Sequence, residues 1–331
     1  MVEAGDIITL TASAWRLRAP LAASSYGVLW QAESCLGGAP AALKLVNLEQ
    51  MALALPPQRD AWRRCAQGEI AFLRALQPWD RRHIVGLLDS GEHQGQPALA
   101  LELLDGDLAR HLDTLRTRGE TVPFTQALDW TGQVNQALAR VHQYGWRHLD
   151  LKPANLLLAD GGATLKLADF GTSRALAERD AHSYAGTASW QAPEQFFAGA
   201  GGYRTDARAD YFSLGALFYH LVTGTLLRYS SACAAAYREH GTAGAARLKA
   251  AHGGALPAVL DADEAALFVR HTFPHGPATR DAALGLLRAL LAPHPGQRPR
   301  HALEISRLLA AVRDGLACDA AMHHLLRRSA A

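Results

Sequence analysis

The stretch from His148 to Arg174, HLDLKPANLLLADGGATLKLADFGTSR, decides how this chain is read. Asn155 opens an apolar run, Leu156 to Leu158. Asp160-Gly161-Gly162 then supplies turn residues, and Thr164 to Leu167 runs back towards Asp169. Two short apolar runs joined by turn residues predict a β-hairpin. A hairpin returns its ends to one place, so Asn155 and Asp169, fourteen positions apart, are expected to meet there with Asp150 and Lys152 beside them. Mg²⁺ takes one or two hard oxygen ligands from a protein, the rest coming from phosphate and water, and a carboxylate and an amide carbonyl suit it. Asp169 and Asn155 are therefore the expected metal ligands of a site for a hard cation and phosphate. Asp150 is the carboxylate placed to orient an attacking hydroxyl and take its proton, and Lys152 would neutralise charge on the transferring group.

Working outward, Ala41-Ala42-Leu43-Lys44 ends a short apolar run on a lysine, and Glu69 to Leu76 has apolar residues at helical spacing. Between them Pro56-Pro57 predicts a loop over Met51 to Asp60. Leu99 to Leu104 reads as a buried strand ending in the turn Asp105-Gly106-Asp107, and Thr125 to His142 as a helix with Val134, Leu138 and Val141 on one face. Downstream come Asp169-Phe170-Gly171, Gly186-Thr187-Ala188-Ser189-Trp190-Gln191-Ala192-Pro193-Glu194, Asp210 followed by the apolar helix Tyr211 to Val222, and Pro295-Gly296-Gln297-Arg298-Pro299. A three-residue match such as Asp-Phe-Gly carries little weight alone, but the ordered set does. It resembles the motif series of the eukaryotic-type (Hanks-type) serine/threonine protein kinases over Leu17 to Leu309.

That resemblance implies an α+β, bilobal protein-kinase fold within residues 1–313. A small antiparallel β-rich N-lobe with one key helix would span about residues 10–101, and a larger, mainly α-helical C-lobe about 102–313, followed by a helical tail over 314–331. It implies ATP in the cleft between the lobes and Mg²⁺, or Mn²⁺ in its place, on Asn155 and Asp169. Lys44 would hold the inner phosphates and Glu69 would orient Lys44. Gly27, Leu29 and Ala42 would line the nucleotide, and the backbone of Glu102 to Leu104 would read the adenine edge beside the gatekeeper Leu101. Asp107 would reach the ribose. By the same resemblance Asp150 and Lys152 are catalytic, Thr187 bridges them, Asp210 anchors the C-lobe, and Arg298 pairs with Glu194. Lysine two residues after the catalytic aspartate goes with serine or threonine acceptors.

Two motifs depart from the family pattern. Of the glycine-rich loop only Gly27 survives when Tyr26-Gly27 is aligned with its last glycine; Ala22 and Ser24 occupy the other two places. Small residues there imply weakened rather than abolished nucleotide affinity. Leu149 replaces the arginine that in the family receives an activation-segment phosphate, a charge-assisted pairing that leucine cannot make. Phosphorylation of Thr172, Ser173, Ser183 or Tyr184 is therefore not expected to switch this chain on.

Composition bounds the rest. The chain has 331 residues, 49% of them hydrophobic, enough for the cores of two lobes. A formal net charge of +2 without lysine or arginine runs argues against a nucleic-acid surface. The N-terminus lacks a signal peptide's pattern, the greasiest stretch, Tyr211 to Leu227, is short for a membrane span, and a cytoplasmic location is expected. Cys35, Cys65, Cys233 and Cys318 have no paired spacing and are expected as reduced, packed thiols. The histidines, including His142, His220 and His323-His324, show no metal spacing. Bias to Ala, Leu, Arg and Gly points to a GC-rich, bacterial source. The resemblance implies a protein with a Ser/Thr acceptor and ATP as partners; oligomeric state is not encoded legibly. A pseudokinase scaffold and a small-molecule phosphotransferase of related fold stay open as alternatives.

Overall fold

The structure is a computed structural model that describes residues 2–329 apart from 25, 26, 179, 183 and 200, with side chains to Met322. Tyr26, Ser183 and the side chains of His323, His324, Leu325 and Leu326, all named above, thus lie outside the described residues.

In chain order the elements begin with β1 (Ile7–Thr9), β2 (Ala14–Ala23), β3 (Gly27–Ser34), β4 (Ala41–Val46), α1 (Leu48–Leu53), α2 (Pro56–Ala75), β5 (Leu87–His93) and β6 (Gln96–Glu102). There follow α3 (Leu108–Thr117), α4 (Phe124–Gln143), β7 (Trp146–Arg147), β8 (Leu156–Ala159), β9 (Thr164–Leu167), β10 (Arg174–Ala175) and α5 (Pro193–Phe196). The chain closes with α6 (Arg208–Thr223), α7 (Arg228–His240), α8 (Gly244–Ala251), α9 (Ala262–His271), α10 (Pro277–Leu290) and α11 (Ala302–Ser329). Two compact units result: Met1–Gly106 with Leu157–Ser173, and Asp107–Leu156 with Arg174–Ala331.

The first unit is an antiparallel sheet of order β1-β2-β3-β4-β6-β5 with α2 beside it. Side chains alternate across a strand. In β4, Leu43 and Leu45 therefore face the core of Ile8, Trp15, Leu17, Ala32, Ala98 and Ala100, while Ala42 and Lys44 take the other face. The register puts Leu29 opposite Lys44 and Leu101 opposite Ala42, so these four share that second face. The expected hairpin is present as β8 paired with β9, turned through Asp160–Gly162. Its segment 157–173 groups with the sheet, whereas the expectation put it in the helical lobe. Ile84 forms a parallel bridge with Leu167, and the Val85 N–H donates to the Leu167 carbonyl at 3.0 Å, tying the hairpin's return strand to this unit.

Two boundaries need correction. Met51 to Asp60 is not a loop: α1 runs through Leu53 and α2 starts at Pro56. Proline at the first helical positions gives up an N–H that would have no partner anyway, and its fixed φ suits the helix, so Pro56-Pro57 starts α2 instead of breaking it. The tail is also no separate element from residue 314, because α11 runs unbroken from Ala302 to Ser329.

The second unit is helical and centres on α6, whose residues from Ala209 to Thr223 are buried save His220. A helix apolar on every side is a core helix, as the Tyr211–Val222 pattern implied. The stretch from 228 to 280 contributes α7, α8, α9 and the start of α10. Of the cysteines only Cys233 is packed, with burial pushing its thiol up to about 12; Cys35, Cys65 and Cys318 are exposed, against expectation. All four are free. Among the described residues no helix is long and apolar enough to cross a membrane.

Arg298 closes the base of this unit. Its buried guanidinium forms a fork with Glu194 at 2.6 and 2.9 Å, donates to the carbonyls of Ala292, Pro293 and Arg208, and lies 5.0 Å over the Phe212 ring. Removing one partner of such a pair strands the other's charge. Arg298→Ala is predicted to lower the unfolding free energy by about 3–5 kcal/mol, measured by urea denaturation, while Arg300→Ala, on an exposed side chain, changes it by less than about 0.5 kcal/mol.

Candidate active site

In the first unit the polar residues converge on Glu69. This carboxylate is 1% exposed on α2. Its Oε2 accepts from Lys44 Nζ at 2.7 Å and its Oε1 from the Phe170 backbone N–H at 3.2 Å. Lys44 Nζ also donates to Asp169 Oδ1 at 2.8 Å. Burial pulls the Lys44 ammonium down, but the Asp169 and Glu69 carboxylates outweigh it and hold the group above its ordinary value, so it stays charged. Phe170 is buried against Phe72 of α2, ring centroids 4.5 Å apart, which fixes the segment that carries Asp169. Asp169 has φ +59, a left-handed conformation that aspartate tolerates better than most residues. Half exposed and bonded to Lys44 through Oδ1, its carboxylate is a hard oxygen group beside a permanent cation.

The nucleotide-lining expectations fall on the sheet face already described. Leu29, Ala42, Lys44 and Leu101 occupy it, and Glu102 ends β6, its Oε1 accepting from the Gly86 N–H and Lys166 Nζ, both at 2.7 Å. Leu104 follows, half-buried. Gly27 opens β3 where the Ser24 N–H donates to its carbonyl at 2.8 Å, closing the β2–β3 hairpin. A Cβ on Gly27 would stand 3.1 Å from the Leu45 carbonyl, so β4 itself supplies a reason for glycine here. Asp107 belongs to the second unit, where it N-caps α3 by accepting the Arg110 N–H at 2.9 Å.

In the second unit the converging point is Asp150, 7% exposed. Lys152 Nζ donates to its Oδ2 at 2.7 Å and to Thr187 Oγ1 at 2.8 Å, and Thr187 Oγ1 donates to Asp150 Oδ1 at 2.7 Å. Asn155 Nδ2 donates to the Asp150 carbonyl at 2.9 Å and to its Oδ2 at 3.1 Å. With its amide nitrogen so engaged, the acceptor atom of the Asn155 side chain is Oδ1. Each unit thus carries one hard oxygen donor, the Asp169 carboxylate in the first and the Asn155 amide oxygen in the second. Among the described residues no group of three or more His, Cys, Asp or Glu could hold a metal alone, and a cation taking two protein oxygens plus phosphate and water needs none.

Beneath Asp150 lies a support that sequence reading saw only in part. Asp210, fully buried, accepts the N–H of His148 at 2.8 Å and of Leu149 at 2.7 Å. His142, noted above only for its lack of metal spacing, bonds Asp210 Oδ2 through Nε2 at 2.9 Å. Burial pushes the Asp210 carboxyl up, but the His142 bond, the nearby histidines and the Leu149 N–H outweigh it and hold it below the usual carboxylate range. Leu149, buried, sits at φ +67, a conformation that costs a non-glycine residue about 1–2 kcal/mol. Asp210 grips its N–H, and Gln195 Nε2 donates to its carbonyl at 2.9 Å. Nothing in the sequence marked Gln195 or His142 for this; a polar residue next to the last position of a helix is too common a pattern.

Residues 24–307 match the family model described as protein kinase domain. Among curated proteins, the serine/threonine-protein kinase PknL of Mycobacterium tuberculosis is 37% identical over 169 residues, covering 50% of this chain and 40% of that protein. PknB of Mycolicibacterium smegmatis is 36% identical over 150 residues, 43% of this chain and 23% of that protein. PkaA of Streptomyces coelicolor is 33% identical over 227 residues, 64% of this chain and 39% of that protein. The chain spans less than half the length of these relatives. The PknI kinase domain from Mycobacterium tuberculosis superposes with a TM-score of 0.60 at 23% identity, covering 96% of this chain and 99% of that one, a likeness of fold.

Gly186 precedes Thr187 at φ +99, and a Cβ there would stand 2.6 Å from the Leu149 carbonyl. Gly186→Ala is predicted to cost about 2 kcal/mol of stability, whereas Gly285→Ala, on α10 with open space around it, is neutral or stabilising by up to about 1 kcal/mol. Urea midpoints of the two variants check this.

Proposed function

The chain belongs to the protein kinase family, and from that premise we propose that it is a serine/threonine protein kinase, transferring the γ-phosphate of ATP to a hydroxyl on a protein. The observation that carries this reading is the network of Asp150, Lys152, Asn155 and Thr187. A scaffold without chemistry has no need of a carboxylate buried among these donors.

In this reading Lys44, held charged between Glu69 and Asp169, takes the inner phosphates, and Asp169 and Asn155 offer oxygens to Mg²⁺ or Mn²⁺. An ion held there would offset the negative charge of the phosphates. Gly27, Leu29 and Ala42 line the nucleotide, the backbone of Glu102 to Leu104 reads the adenine edge, and Asp107, besides capping α3, reaches the ribose. Asp150 Oδ1, already an acceptor from Thr187, orients the incoming hydroxyl and takes its proton, while Lys152 stabilises the charge that develops. Positioning and electrostatics supply most of the rate. Lys152 and Thr187 favour serine and threonine acceptors over tyrosine. Leu149 supports an enzyme not switched on by activation-segment phosphorylation. A cytoplasmic setting, where ATP is abundant and thiols stay reduced, fits four cysteines without a disulfide.

The test is transfer of labelled γ-phosphate from Mg·ATP to the protein and to a basic protein acceptor. Label on serine or threonine is expected from the wild type, with Asp150→Ala and Asp169→Ala each reduced by at least about a hundredfold. Nucleotide binding without any transfer would contradict the reading and favour a scaffold or a small-molecule acceptor.

A further inference from the structure

With Leu149 in place of an arginine, something else must hold the segment that carries Thr187. The second unit shows what does. β7 pairs with β10, Arg147 opposite Arg174 and Trp146 opposite Ala175, and the Leu176 N–H donates to the Gly145 carbonyl at 2.7 Å. Arg147 lies two positions before Leu149, is 2% exposed, and donates from Nη2 to the backbone carbonyl of Glu178 at 2.9 Å. A guanidinium so buried is costly unless its surroundings answer its charge. Burial draws its pKa down, and the Glu178 carboxylate opposes that.

Further along the segment, Tyr184 stacks on Tyr237 of α7, centroids 4.6 Å apart and planes 14° from parallel, with Tyr203 and Phe196 edge-on at 5.6 and 6.5 Å. Gln191 Nε2 donates to the Ala185 carbonyl at 2.6 Å. These contacts go to backbone carbonyls and ring faces, and none requires a phosphate.

We propose that Arg147 and Tyr184 are the positioning residues of the segment from Arg174 to Gln191: a carbonyl clamp and an aromatic stack do the work that a phosphate–arginine pair does in relatives with arginine at the place of Leu149. Thr187 is thereby held against Lys152 and Asp150 in the unphosphorylated chain. The consequence for catalysis rests on the protein-kinase reading; the clamp itself does not.

The test is amide hydrogen exchange over residues 174–191 of phosphatase-treated protein, with acceptor KM and kcat measured alongside. Wild type, Arg147→Lys, Arg147→Met, Tyr184→Phe and Tyr184→Ala are compared, each checked for cooperative thermal unfolding. The phosphate-free wild type is expected to show a protected segment. Arg147→Met and Tyr184→Ala should lose protection by about tenfold or more, with acceptor KM rising more than kcat falls. Arg147→Lys should recover part of the protection, and Tyr184→Phe, which keeps the ring, nearly all of it. Should Arg147→Met fail to fold, the Tyr184→Phe and Tyr184→Ala pair still decides. A wild-type segment protected only after phosphate is added to Thr172, Ser173, Ser183 or Tyr184 would overturn the proposal, as would equal protection in Tyr184→Phe and Tyr184→Ala. The expected exchange pattern in a protein that transfers no phosphate would uphold the clamp and remove the kinase reading.

Discussion

The second unit depends on one buried carboxylate. Asp210 enters α6 with no exposure to water and would be costly there without compensation. It receives the backbone N–H groups of His148 and Leu149 and the His142 ring nitrogen. Those bonds hold Leu149 in its left-handed conformation, and the direction of the chain after Leu149 sets where Asp150 stands. Lys152, Asn155 and Thr187 are in turn ordered by their bonds to Asp150. A polar network of this kind is high-stakes: satisfied throughout it fixes a single arrangement, and with one member missing it leaves buried groups unpaired.

Glu69 has the same part in the first unit. One carboxylate holds a lysine from β4 and the backbone of the segment after β9, so strand, helix and hairpin are referred to a single buried group. The lysine in turn reaches Asp169. In both units a buried acid orders the groups around it.

Much of this was legible in the chain because chemistry-bearing residues stood at fixed intervals along apolar runs. The hairpin between Asn155 and Asp169 was readable from its turn residues, α6 from an apolar run with no polar face, and the Arg298–Glu194 pair from family resemblance. What failed did so for physical reasons. Pro56-Pro57 looked like a break because proline disrupts a helix interior, yet at the first helical positions it starts one. The grouping of 157–173 with the sheet depends on tertiary hydrogen bonds to Val85 that no local pattern encodes. Gln195 and Arg147 act through backbone carbonyls of distant residues, and a side chain that bonds a carbonyl leaves no complementary residue to find in sequence. Leu149 was recognised as a loss; the sequence held no sign that Arg147, two positions earlier, grips the same segment by another atom.

The central claim is that Asp210 fixes the direction of the chain into Asp150, and Asp210→Asn tests it most directly. Asparagine keeps the shape but offers one carbonyl oxygen and an NH₂ group, so one of the two N–H groups of His148 and Leu149 loses its acceptor. The measurement is amide exchange at residues 148 and 149, followed with phosphate transfer. The account predicts exchange faster by about tenfold or more and a parallel fall in transfer, in a protein that still unfolds cooperatively. Unchanged exchange at both amides with transfer at the wild-type rate would contradict it.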